Sequence, residues 1–234
     1  MTTSHNPVTS LLVSRERALI NALSYLFKVV LKHSFETMEG MKAARTRLAH
    51  SGSEDAIFVH LSGKRNREIE LIKVAKSANP GRVVIALYTG DPELGVSAFV
   101  VGADDVVAWP CNLHELAVRL LVRLGLPLDQ TSLPTGDVSW QTEAYIADRA
   151  GLTISEAQVM RVLYSHEGNI VSRDSLSLAV DARPWRYGDR KFDVHVAKIR
   201  KKLSDSFGTK VSVSTIRSSG YCLVTEGPKT FDPT

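Results

Sequence analysis

Two cysteines, Cys111 and Cys222, are all the thiol in this chain of 234 residues. They lie far apart in apolar settings, so they offer neither a disulfide framework nor metal-ligand spacing, and they fit reduced thiols in a cytoplasm. Long apolar runs are missing too. The richest stretch, Leu11 to Leu31, is broken by Arg15, Glu16, Arg17 and Lys28, so it does not read as a membrane span. The opening MTTSHNPVTS has neither the basic region nor the apolar core of a signal peptide, so the expected location is the cytoplasm. There is no internal repeat and no low-complexity segment. His33, His50, His60 and His114 are scattered, so no metal site is expected. Ser62-Gly63-Lys64 lacks the glycine five residues earlier that a phosphate loop needs. With no nucleophile–base pair and no cofactor loop, neither catalysis nor a cofactor is expected.

Charge of one sign is scarce overall and dense in one place. The formal net charge is only +4, with a pI of about 9.1. Between Arg190 and Arg217, eight Lys and Arg residues meet two acids, Asp193 and Asp205, which leaves the rest of the chain slightly negative. A local basic patch on a balanced chain points to a polyanion bound at one site.

That patch has a helical period. In RKFDVHVAKIRKKL, Phe192, Val196, Ile199 and Leu203 form one apolar stripe. At about 100° per residue, Lys191, His195, Lys198 and Lys202 line one side of the opposite face, and Arg190, Val194, Ala197 and Lys201 fill the rest. Such a helix could simply face water. The stretch that follows, KVSVSTIRSSGYCLV, alternates like a strand, turns at Ser218-Ser219-Gly220 and resumes. A basic helix followed by a hairpin is the recognition end of a winged helix.

The first half alternates apolar strands with amphipathic helices. Strands are expected at 10–13, 29–31, 56–59, 83–87 and 106–108, and helices at 15–27, 39–49, 68–78, 92–100 and 113–124. Continuous apolar strands imply a parallel sheet covered on both faces. The predicted fold class is α/β, a doubly wound (βα)5 flavodoxin-like domain followed by a winged helix-turn-helix.

Gly102-Ala103-Asp104-Asp105, Pro110, Leu113, Glu115-Leu116 and Arg119 resemble the end of a bacterial response-regulator receiver domain. The resemblance covers most of residues 10–125 and implies a phosphorylation pocket, but the pocket residues depart from the pattern. His60 stands where receivers place the acceptor Asp, Ser14 and Arg15 stand at the acidic pair, and Trp109 stands at the Lys before the proline. Of the pocket, only a hydroxyl survives, as Thr89 or Tyr88. Phosphoryl transfer to a carboxylate needs the carboxylate nucleophile itself, a divalent metal and a cation on the phosphoryl oxygens. A receiver without them is expected not to use aspartyl phosphate. His60 reads as an ordinary hydrogen-bonded histidine ahead of a phospho-acceptor or metal ligand, and Trp109 as filling the emptied pocket. Asp105 and Arg119 match residues that, in receivers of this subfamily, form ion pairs across a homodimer.

Residues 125–136 are polar and punctuated by Pro and Gly. The expected division is therefore a degenerate receiver at 1–124, a linker at 125–136, a DNA-binding domain at 137–226 and a tail at 227–234. Val138–Trp140, Ala144–Ala147 and Leu152 read as a small sheet. Thr153-Ile154-Ser155-Glu156, Val171-Ser172-Arg173-Asp174, Asp193-Val194-His195, Thr215-Ile216-Arg217 and Gly220-Tyr221 then resemble, in order, the winged-helix regulators of the OmpR/PhoB type. Thr153 and Ser172 also read as helix caps.

By position, the resemblance implies that Arg190, Lys191, His195, Lys198 and Lys201 contact the groove and phosphates of double-stranded DNA. Arg200, Thr215 and Tyr221 would bind backbone phosphate, and Arg217 would enter the minor groove. Ala197 and Val194 could sit against thymine methyls. Residues 181–188 lie where this family meets RNA polymerase, with Trp185 and Tyr187 either offered to a partner or packed inward. The expected function is transcription regulation by a dimer on tandem half-sites. The alternative is an interaction module that docks on another regulator or on polymerase and binds DNA only weakly.

Overall fold

The computed structural model describes residues 8–49, 52–63, 67–126 and 139–226. The chain divides into two compact units, Met1–Thr135 and Gly136–Thr234.

In the first unit, β1 (Thr9–Val13), β2 (Ser34–Met38), β3 (Ala56–Leu61), β4 (Val83–Tyr88) and β5 (Asp105–Ala108) form a parallel sheet in the order β2-β1-β3-β4-β5. Helices α1 (Arg17–Tyr25), α2 (Met41–Ala49), α3 (Ile69–Ala78), α4 (Pro92–Val100) and α5 (Leu113–Arg123) connect or follow the strands. β3 is buried along its whole length, so both of its faces must be covered. One face carries Leu11, Val13, Ile57, Val59 and Val84 against Ala44, Leu48, Ile72 and Ala75. Alternate residues such as Leu12, Phe58 and Ile85 are buried on the other side. The strand order reverses between β1 and β3, which opens a crevice at their carboxyl ends, where folds of this kind hold ligands.

The expected strand at 29–31 is absent. Helix α1 runs on into a π-helical turn, Leu26–Val30, and the second strand begins at Ser34. The wider turn buries Leu26, Phe27, Val29 and Val30 together, and Phe27 stacks on Phe35 at 4.8 Å and meets Phe58 edge-on at 5.3 Å. The true strand lies at the sheet edge and buries only Phe35, so it lacks the apolar run that marks a central strand.

The second unit contains α6 (Ser139–Arg149), α7 (Ile154–Ser165), β6 (Ile170–Val171), α8 (Arg173–Asp181), α9 (Lys191–Phe207), β7 (Val211–Ile216) and β8 (Gly220–Thr225). The three strands pair antiparallel in the order β6-β8-β7. The small sheet expected from Val138 to Leu152 is replaced by α6, Val138 itself lying outside the described residues. Thr142, Glu143, Ile146, Ala147 and Ala150 are all buried, a spacing of three and four that suits a helix.

Both caps form. Thr153 and Glu156 close a capping box on α7, and Ser172 accepts from the Ser175 amide on α8. The stripe Phe192, Val196, Ile199 and Leu203 is buried against Ile146, Val159, Met160, Leu163, Leu176 and Leu223. At Gly220 the backbone takes φ +151° and passes so close to Val171 that a Cβ would strike its carbonyl.

Candidate nucleic-acid interface

Burying one stripe of α9 turns its basic face outward, but the cations on that face are not equivalent. Arg190 at the N-cap of α9, Lys198 and Lys201 on it, and Arg217 at the wing turn between β7 and β8, are exposed, and their side chains make no hydrogen bond or ion pair among the described residues. Lys191 is drawn sideways, its Nζ 2.5 Å from Asp181 Oδ1. Lys202 donates to Glu156 Oε2 at 2.7 Å and to the Gly151 carbonyl at 2.9 Å. Burial opposes ionisation of Glu156, but the bonds from Lys202 and Thr153 outweigh it and hold its carboxyl below the usual value.

Arg200 and Thr215, expected on DNA phosphate, are exposed and bonded to each other. Arg200 Nε donates to the Val213 carbonyl at 2.7 Å, and its Nη2 donates to Thr215 Oγ1 at 2.8 Å. The guanidinium thus ties α9 to β7. Tyr221 needs a clearer correction. It is only 1% exposed, and its hydroxyl donates to Asp193 rather than facing solvent. Burial and the Asp193 carboxylate push its phenol well above the ordinary value. Its place in the alternation of β8 puts it on the core side of the sheet, opposite Val171.

Asp193 is the residue that sequence reasoning missed. It accepts from Arg173 Nη2 at 2.6 Å and from Tyr221, so α8, α9 and β8 meet at one carboxylate. The Arg173 bond holds that carboxyl below its usual range, and the same guanidinium sits 4.9 Å from the Tyr221 ring centre. An acid in the first turn of an otherwise basic helix was the available signal. His195 is half-buried, and its Nδ1 is enclosed without a partner among the described residues. Burial first, and the nearby Lys191 charge second, lower its pKa.

In the loop 181–188, the two aromatic residues part ways. Trp185 packs against the unit's own core, with its indole N–H on the Asp189 carbonyl at 3.0 Å, whereas Tyr187 is 98% exposed.

In the first unit, the crevice end of β1, β3 and β4 carries a hydrogen-bonded chain. Ser14 Oγ lies 3.0 Å from His60 Nδ1, and His60 Nε2 lies 3.0 Å from Thr89 Oγ1. Ser14 Oγ also accepts from the Glu16 amide at 3.0 Å. His60 is 5% exposed; burial lowers its pKa, against the pull of Glu16 and Glu68. Beside it lies a cavity of about 140 Å³, lined by Ser14, Arg15, Glu39, His60, Ser62 and Glu68 with Val13 and Met41. Trp109, expected to fill this pocket, is half-buried and is not among the lining residues. It stands past the end of β5, its amide on the Tyr88 carbonyl at 2.7 Å. No group of three or more His, Cys, Asp or Glu residues suited to a metal occurs among the described residues.

Asp105 and Arg119, expected at a homodimer interface, lie on β5 and α5. They pair within the chain, Nη1 to Oδ1 at 3.1 Å, and Arg123 adds a second contact to the same buried carboxylate at 3.4 Å. Beside them, Val96, Phe99 and Val100 on α4 and Val122 on α5 are exposed. Among the described residues no helix is long and apolar enough to cross a membrane.

A family model described as "Transcriptional regulatory protein, C terminal" matches residues 148–223. The transcriptional regulatory protein CpxR homolog of Haemophilus influenzae is 30% identical over 168 residues, 67% of this chain and 74% of that one. The transcriptional regulatory protein CpxR of Escherichia coli K12 is 24% identical over 237 residues, 92% of this chain and 97% of that one. The solved response regulator DrrB, described as a Thermotoga maritima OmpR/PhoB homolog, aligns over 94% of this chain and 100% of its own, with 19% identity and a TM-score of 0.42.

Proposed function

This chain belongs to the OmpR/PhoB-type response regulators, a family of DNA-binding transcription regulators, and from that premise we propose that it binds tandem half-sites as a dimer without needing aspartyl phosphorylation. The observation that carries the second part is the chain Ser14–His60–Thr89. A neutral imidazole has one N–H and one lone pair. Here both nitrogens already meet a hydroxyl, so the ring is satisfied without a phosphoryl group. No carboxylate stands at residue 60 to accept one, and Arg15 occupies the ground of an acidic pair.

DNA contact is assigned to Arg190, Lys198, Lys201 and Arg217, with His195 and Lys191 at the margin. Arg200, Thr215 and Asp193 hold the helix and the wing in place. The dimer reading is supported by the exposed apolar side chains of α4 and Val122, beside a β5–α5 ion cluster whose charges are already balanced within the chain. Contact with RNA polymerase is assigned to Tyr187, because Trp185 is committed inward. The setting is cytoplasmic, and the protein performs no catalysis.

The test is a gel-shift titration of the unmodified full chain on duplex DNA, with and without acetyl phosphate and Mg²⁺. Sequence-specific binding that ignores the phosphodonor is expected. Binding that requires the donor overturns the reading of His60.

A further inference from the structure

The outward strip of α9 is not uniformly basic. Arg190, Val194, Ala197, Lys198 and Lys201 fall within about 100° of one another around the helix axis, and all five are exposed. Val194 keeps 51% of its surface in solvent at the middle of that strip. Three polar side chains near it are committed elsewhere, and His195, half-buried, stands at the margin of the strip. Lys191 goes to Asp181, Asp193 goes to Arg173 and Tyr221, and Arg200 goes to the wing. What remains at the centre is two apolar side chains, with Arg190 on the N-terminal side and Lys198 and Lys201 on the C-terminal side.

In the major groove every base pair presents donors and acceptors, and only an A·T pair also presents a methyl group, on thymine C5. A valine or alanine held against a donor or acceptor would exclude water and leave that group unpaired, whereas against a methyl it buries apolar surface. Val194 and Ala197 are three residues apart, a rise of about 4.5 Å. That is close to the ~3.4 Å step of DNA, so the two side chains meet neighbouring base pairs. Resting on the DNA-binding reading, we propose that Val194 and Ala197 select thymine at adjacent positions of each half-site through the C5 methyl. Arg190, Lys198 and Lys201 hold the flanking phosphates. The specificity of this chain is then largely apolar, set by what the two side chains cannot hydrogen-bond.

The experiment starts from duplexes selected by the full chain out of a randomised pool. Each thymine of a selected site is then replaced singly by deoxyuridine, which removes only the methyl group. At one or two adjacent positions per half-site, affinity should fall about fourfold per methyl, and by about 15-fold when both half-sites are changed. Val194→Gly should erase the penalty at its own position, and its exposure keeps the core out of the measurement. Lys201→Ala should weaken all duplexes alike. Selected sites that tolerate deoxyuridine everywhere overturn the inference and leave DNA binding standing. A deoxyuridine penalty that survives Val194→Gly and Ala197→Gly overturns the assignment to these residues. Failure to select any preferred duplex overturns the DNA-binding reading itself, and the inference with it.

Discussion

Replacing Lys201 and Arg200 by alanine, one at a time, separates two kinds of cation that look alike in composition. Lys201 is exposed and unpaired, and with Arg190, Lys198 and Arg217 it gives four such cations on α9 and the wing turn. Two protomers then neutralise about eight phosphates, and at about 0.9 per phosphate the slope of log K against log salt is about −7. Between 50 and 200 mM salt that slope costs about 10⁴ in affinity. Lys201→Ala removes one charge per protomer, so the slope should flatten by about 2 and the cost should fall to about 10³. Arg200 donates to the Val213 carbonyl and Thr215 Oγ1. Arg200→Ala should leave the slope within about 0.5 of the parent and should lower stability instead, by about 1 kcal/mol. Fluorescence anisotropy of a labelled duplex across five salt concentrations measures the slope, and urea unfolding measures the stability. Equal flattening by both variants would refute the sorting of these cations by their partners.

Three further predictions follow from named contacts. Tyr221→Phe keeps the buried ring and loses the bond to Asp193, so urea stability should drop by about 1 kcal/mol with the salt slope unchanged; a flatter slope means that Tyr221 reaches phosphate after all. The Asp193 carboxyl is depressed in the fold by Arg173, so its contribution is full above the unfolded value near 4 and is lost as pH falls through the folded one. Asp193→Asn should therefore flatten the acid limb of stability below about pH 4, and an unchanged limb counts against the brace. The His60 pKa is lowered by burial, so the unfolded chain takes up the proton first and stability falls as pH drops below about 6.5. His60→Gln should remove that part of the fall, the remainder belonging to His33 and His195, which burial also lowers.

Much of the architecture was legible because its signals are local. β3 from Ala56 to Val59 and β4 from Val83 to Leu87 are unbroken apolar runs, and the breaker Asn79-Pro80-Gly81 stops α3 at Ala78. Thr153 with Glu156, and Ser172, announce the starts of α7 and α8 through side chains that reach only three residues ahead. The strip Phe192–Val196–Ile199–Leu203 is likewise a property of spacing alone. The misread elements are those whose signal is weak or shared. β2 hides because an edge strand buries a single phenylalanine, and α6 hides because a short amphipathic helix and short broken strands use the same residues.

The amino-acid sequence by itself determined that one helix would bury a stripe and carry a cluster of cations outward, and that residue 60 could not be an acyl-phosphate site, since periodicity and side-chain chemistry need no partner to be read. Only the tertiary structure decided which groups would be free. Asp181 takes Lys191, Glu156 takes Lys202, the wing takes Arg200, Asp193 takes Tyr221, and Asp105 takes Arg119. The partners lie between 10 and 46 residues apart, and the four pairs of the second unit are set by how α7, α8, α9 and the hairpin close on one core. An ion pair or hydrogen bond forms or fails within a few tenths of an ångström, and that distance exists only once the chain has folded.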